Sequence, residues 1–186
     1  MPWWGWVLIA VAIVVLLALV VWSARSRSRS RALRERFGPE YDRAVTETGD
    51  RRAAESELDA RRRRREELDI RPLDPTARER YTEQWRSTQS KFVDAPSEAI
   101  READALVMQV MGERGYPMEN FEQRAADISV DHPNLVENYR AAHAISLAND
   151  HGQASTEDMR QAMVHYRSLF EELLDTGGSF DREEAR

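Results

Sequence analysis

The hydrophobic pattern opens with a block. Trp3 to Trp22 (WWGWVLIAVAIVVLLALVVW) holds twenty residues and no charge. At about 1.5 Å per residue a helix of this length covers about 30 Å, the thickness of a bilayer's hydrocarbon core. A transmembrane helix over 3–22 is therefore predicted. Trp3, Trp4, Trp6 and Trp22 bracket it, as rings that prefer the membrane interface do. No Lys or Arg precedes Trp3, and Trp22 and Ala24 make a poor cleavage site before Arg25, so the helix reads as an anchor and not as a signal peptide.

Beyond the block, apolar residues recur at three- and four-residue spacing, and no stretch sustains period-two alternation. Residues 23–39 form a basic juxtamembrane segment that ends at Gly38-Pro39. From Glu40 a helix begins with the stripe Tyr41, Ala44, Val45 and Thr48. The stripe then runs into Arg52, Glu55 and Asp59, and Gly49 weakens the middle. Residues 51–69 are polar nearly all round, with favourable pairs such as Asp59/Arg63. Residues 40–69 are therefore read as one charged stalk helix. Its Arg61–Arg65 run reads as a solvated face, with a patch for acidic partners as the alternative. Ala54 and Leu58 alone do not supply a coiled-coil seam.

The clean stripes lie in 74–175. Asp74-Pro75 reads as N-cap and first turn of a helix with Ala77, Tyr81, Trp85, Thr88 and Phe92 on one face. Ser97 to Arg114 carries Ala99, Ile100, Ala103, Leu106, Val107, Val110 and Met111. Met118, Phe121, Ala125 and Ile128 mark a shorter helix ending near Ser129. Pro133 to Asn149 carries Leu135, Val136, Tyr139, Ala142, His143 and Leu147. Ser155 to Asp158 reads as a capping box, opening a helix with Met159, Ala162, Met163, Tyr166, Leu169, Phe170, Leu173 and Leu174 on one face. The expected fold is all-α: an anchor, a stalk and a helical bundle over 74–175, followed by a frayed tail over 176–186.

Charge sharpens the topology. The 186 residues carry a net charge of -6, divided as +5 over 1–36, zero over 37–93 and -11 over 94–186. Arg25, Arg27, Arg29, Arg31, Arg34 and Arg36 all follow the apolar block, so the positive-inside rule places the N-terminus outside and the body in the cytoplasm. The same arginines are the expected contacts to anionic headgroups, with residues 3–22 in the bilayer. Ser26, Ser28 and Ser30, between them, are candidate phosphorylation sites that would weaken the collar. The acidic distal body argues against nucleic acid as a partner. There is no cysteine, hence no disulfide or thiolate chemistry.

The chain has no P-loop, G-x-G-x-x-G, G-x-S-x-G or H-E-x-x-H, and no catalytic residue, cofactor or metal is expected. His132, His143, His151 and His165 are never three or four apart, so none forms the usual helical metal pair. His143 reads as a core histidine in an apolar stripe, and His132 as a turn group beside Pro133. Trp85, with Gln89 and Phe92, reads as core or as the wall of a groove. Trp85, Asp131, His132, Tyr139, His143 and His165 are the candidates for a ligand or partner site.

Several segments carry a resemblance: FGPEYDRAV (Phe37–Val45), ELDIRPLDP (Glu67–Pro75), ERYTEQWRSTQSKFVDAP (Glu79–Pro96), EADALVMQVMGERGYP (Glu102–Pro117), FEQRAADISVDHPNLVENYRAAHAI (Phe121–Ile145) and TEDMRQAMVHYRSLFEELL (Thr156–Leu174). Together they resemble a family of uncharacterised bacterial single-pass membrane proteins, often labelled only "secreted" or "membrane" protein. The resemblance implies no activity, substrate or cofactor, and the arginine collar speaks against the "secreted" label. The expected role is a membrane-anchored scaffold or protein-interaction module with an unknown protein partner. The alternative is a small-ligand binder or enzyme with a site between bundle helices near Tyr139 and His143.

Overall fold

The computed structural model describes residues 27–175 together with Ile13, Leu16 and Leu17. These last three are helical and exposed. The rest of the predicted membrane span over 3–22, Arg25, Ser26 and the tail over 176–186 lie outside the described residues. Among the described residues no helix is long and apolar enough to cross a membrane.

Every regular element among the described residues is a helix. They are α1 (27–37), α2 (Pro39–Thr48), α3 (Arg51–Glu67), α4 (Pro75–Lys91), α5 (Pro96–Glu113), α6 (Phe121–Asp131), α7 (Val136–Asp150) and α8 (Thr156–Asp175). The chain divides into two compact units, Met1–Leu58 and Asp59–Arg186, and the division falls inside α3.

In the first unit the expected stalk is two helices, not one. Gly49 takes φ +66° and its N–H donates to the Val45 carbonyl at 3.0 Å, closing α2 with a left-handed cap. Only glycine adopts this conformation without strain. Asp50 then opens α3, accepting from the Arg52 N–H through its side chain at 2.9 Å. Nor is this part of the chain solvated all round. Leu33, Phe37, Tyr41, Ala44, Ala54 and Leu58 are buried. One oxygen of Glu55 accepts from Ser30 at 2.7 Å, Tyr41 at 2.7 Å and Arg51 at 2.9 Å. Residues 30 and 41 would stand about 16 Å apart along a straight helix. Both reaching one oxygen requires a corner, and Gly38 at φ +49° supplies it. Burial works against the Glu55 charge, but the bonds from Ser30, Tyr41 and Arg51 outweigh it and hold the carboxyl below its usual range. Ser30, buried in this contact, is not the accessible phosphorylation site read from the arginine–serine tract, whereas Ser28 is exposed.

In the second unit the stripes read from sequence bury as a bundle. All eight stripe residues of α8 are buried, as are all seven of α5. Asp74 caps α4 by accepting from the Ala77 N–H at 2.8 Å. Ser155 and Asp158 make the capping box: Ser155 Oγ accepts from the Asp158 N–H at 3.1 Å, and Asp158 accepts from the Ser155 N–H at 2.9 Å.

Contacts at both ends fix the helix directions. Ser97, Asp104 and Arg114 of α5 and its C-cap meet Met159, Tyr166 and Leu173 of α8 in the same order, so the two helices run parallel. Tyr81 reaches Glu113 at 2.6 Å and Lys91 pairs with Glu102, so α4 runs antiparallel to α5. Asn149 at the end of α7 donates to the Ser97 carbonyl at 3.0 Å, so α7 is antiparallel to α5 as well. Two expected stripe residues fall outside the core. Leu147 is 49 % exposed, and Met118 lies in the exposed loop before α6.

Candidate functional site

The sequence candidates resolve into two polar clusters of the second unit and two side chains that join neither. Trp85 belongs to the core and not to a partner groove. It is buried and stacks on Phe170 with ring centroids 4.6 Å apart. His165 is half-buried at the border of the α8 stripe. Among the described residues no hydrogen bond, ion pair or ring contact draws it into a site.

The first cluster centres on Asp104. Its Oδ1 accepts from the Tyr166 hydroxyl at 2.7 Å and stands 3.9 Å from His143 Nδ1. The His143 ring stacks on Phe121 at 3.8 Å, and Phe121 leans against Tyr139 at 5.0 Å. Tyr139 is fully buried, and its hydroxyl accepts from Arg124 Nε at 3.2 Å. Burial pushes both phenols up, Tyr166 most, and the Asp104 carboxylate adds to it. These tyrosines donate or accept hydrogen bonds as neutral groups and are not proton shuttles near neutral pH. His143 Nδ1 is buried without a hydrogen-bond partner.

The second cluster lies where helix C-termini converge. The carboxyl ends of α3, α5, α6 and α8 all contribute to it, and each carries partial negative charge on its unsatisfied carbonyls. The compensating cations come from the same places. Arg114, 2 % exposed, donates to the Leu173 carbonyl at 2.8 Å and to the Arg71 carbonyl at 3.2 Å. The Arg71 N–H returns a bond to the Arg114 carbonyl at 2.8 Å. Arg65 pairs with Asp131, which also accepts from the Tyr116 hydroxyl at 3.0 Å. His132 caps α6, and its Nδ1 stands 3.2 Å from Glu172 while its Nε2 is buried without a partner. Burial pushes the His132 imidazole down, against the upward pull of Glu172 and Asp131. The Tyr116 phenol is pushed well up by burial and by Asp131.

Around this cluster the arginine run departs most from expectation. Arg61, Arg64 and Arg65 are not a solvated face. Arg61 reaches Ser129 at 3.5 Å, Arg64 stands 3.3 Å from Asp127 and 3.4 Å from Glu119, and Arg65 engages Asp131. Arg62 and Arg63, paired with Asp59 beside them, keep the local pattern read from sequence. Thus α6 is enclosed on two sides. Ala125 and Ile128 face the core, while Asp127, Ser129 and Asp131 receive α3.

The sequence candidates Asp131 and His132 thus fall in one cluster, and Tyr139 and His143 in the other. The residues missed were Asp104, Arg114, Asp127, Glu172 and the three arginines. A signal existed for the arginines, since positions 61, 64 and 65 share one helical face, as do Asp127 and Asp131. Among the described residues no group of three or more His, Cys, Asp and Glu side chains is placed to hold a metal ion. In comparisons with protein-family models, curated proteins and solved structures, nothing matches this chain.

Proposed function

We propose that the chain is a membrane-anchored helical interaction module. Residues 3–22 span the bilayer, the arginine collar holds the inner headgroups, and the bundle is presented on the cytoplasmic side to a protein partner. The observation that carries this reading is the junction itself: twenty uncharged residues followed by six arginines within 25–36. Arg27, Arg29, Arg31, Arg34 and Arg36 are exposed on α1, which supports the headgroup contact. Each such arginine near an anionic surface contributes about 1 kcal/mol. Membership of the bacterial family that the quoted segments resemble is part of the same proposal.

Protease digestion of spheroplasts and of inverted vesicles tests it. The bundle is expected to survive in spheroplasts, to be cut in inverted vesicles, and to stay with membranes through an alkaline wash. A bundle digested in intact spheroplasts, or released by alkali, would overturn the anchor or its direction. Crosslinking in intact cells that recovers no protein partner would count against the module itself.

A second reading is favoured by one observation. The unpartnered Nδ1 of His143, beside Asp104 and under Phe121, is where a small polar ligand between helices would bind. A His143→Gln variant that changes neither ligand retention nor the NMR spectrum around Asp104 would dispose of it.

A further inference from the structure

We propose that the outer face of α6 is an interaction surface for an arginine-bearing helix. In this chain it is occupied by Arg61, Arg64 and Arg65, and it is open to exchange with a partner helix carrying arginines at the same i, i+3, i+4 spacing. The proposal rests on the interaction-module reading and names the surface and the chemistry of its partner.

Three observations carry it. First, the acceptors are held in place without α3. Asp127 Oδ1 accepts from Gln123 Nε2 at 2.9 Å, and Asp131 accepts from Tyr116 at 3.0 Å. A preformed acidic row binds a cationic helix without an ordering cost of its own. Second, residues 59–67 meet α6 through polar side chains, as the Arg61–Ser129, Arg64–Asp127 and Arg65–Asp131 contacts show. Their only apolar residue is Ala60, which is exposed, and every core residue of the bundle lies between Leu73 and Leu174. Lifting this half of α3 off α6 therefore removes no member of the main core. Third, the resident fit is incomplete. The Asp127 side chain is 1 % exposed, yet its Oδ2 has no hydrogen-bond partner, and Arg64 Nε, 3.3 Å from Oδ1, makes no hydrogen bond. A guanidinium that met this carboxylate with two parallel N–H groups would satisfy both oxygens. A partner arginine arriving in that geometry competes with Arg64 on better terms than Arg64 holds.

The test uses the full chain and a synthetic peptide covering residues 57–69 of this sequence, labelled for fluorescence anisotropy. Wild type binds the peptide weakly, because its own arginines fill the face. Arg64→Ala/Arg65→Ala is expected to bind it at least tenfold more tightly. Adding Asp127→Asn/Asp131→Asn is expected to abolish that gain, and a peptide with the same composition but scrambled arginines is expected to bind at least tenfold more weakly. Circular dichroism of each variant checks folding. Arg64→Gln alone, which leaves Arg65 on Asp131, is expected to give an intermediate gain if the double variant unfolds. Equal affinity of wild type and the arginine variants, or equal affinity for the scrambled peptide, would overturn the proposal. A salt-sensitive wild-type dimer that Asp127→Asn/Asp131→Asn dissociates would make a second copy the occupant and overturn the partner-helix assignment. A cellular partner still crosslinked to Asp127→Asn/Asp131→Asn would overturn this surface and leave the module reading standing.

Discussion

Gly115 shows how little room single residues have at the converging helix ends. Its φ is +97°, and a Cβ there would lie 2.5 Å from the Asp69 carbonyl oxygen, a backbone atom that cannot rotate away. The link before α4 is fastened at this point by the reciprocal Arg71–Arg114 bonds, so it cannot move aside either. Gly115→Ala is expected to cost about 3 kcal/mol, combining positive-φ strain and overpacking. Gly152→Ala, also at positive φ but with open space around it, should cost only about 1–2 kcal/mol. Urea midpoints compare the two, and equal losses would deny the Asp69 contact its role. His132 sets a pH dependence. Burial depresses its imidazole, with Arg114 adding to the effect and Glu172 and Asp131 opposing it. Its contribution is complete above the unfolded value of about 6.5 and is lost as pH falls through the depressed folded value. Wild type should lose stability between pH 7 and pH 5, and His132→Phe should show a smaller loss over that range in urea titrations.

At the scale of elements, the bundle helices were legible because apolar burial has a period. The α8 stripe and its capping box could be read residue by residue. Ser155→Ala is expected to cost about 1 kcal/mol by removing the bond from the Asp158 N–H to Ser155 Oγ, while the backbone N–H at 155 can still reach Asp158, visible as a lower thermal midpoint. Glu157→Ala, which loses only the exposed pair to Arg160, should cost a few tenths. The second half of α3 was not legible for the converse reason. Its burial is ionic, and the carboxylates that receive it lie 55 to 66 positions away. Periodicity reports which face avoids water, not which charge meets a distant partner. The stalk was misjudged at Gly49 because a glycine inside a helical pattern can either weaken the helix or end it. The left-handed cap is a choice made by the packing on both sides.

For the whole molecule, the all-α class followed from the stop and start signals between stripes, but the directions of the helices did not. A simple up-and-down bundle alternates its neighbours. Here α5 and α8 lie side by side and parallel, joined through 59- to 62-residue separations at Ser97–Met159, Asp104–Tyr166 and Arg114–Leu173. Parallel neighbours cannot be joined by a tight turn, and α6 and α7 occupy the interval. The consequence concerns the order of events during synthesis. The α5 stripe emerges from the ribosome well before α8, and the bonds from Tyr166 to Asp104 and from Arg114 to the Leu173 carbonyl cannot form until α8 is made. Such separations raise the contact order of a helical protein, and high contact order slows folding. A nascent chain ending before α8 therefore leaves uncovered the part of α5 that α8 packs against, and it is α8 that closes the core.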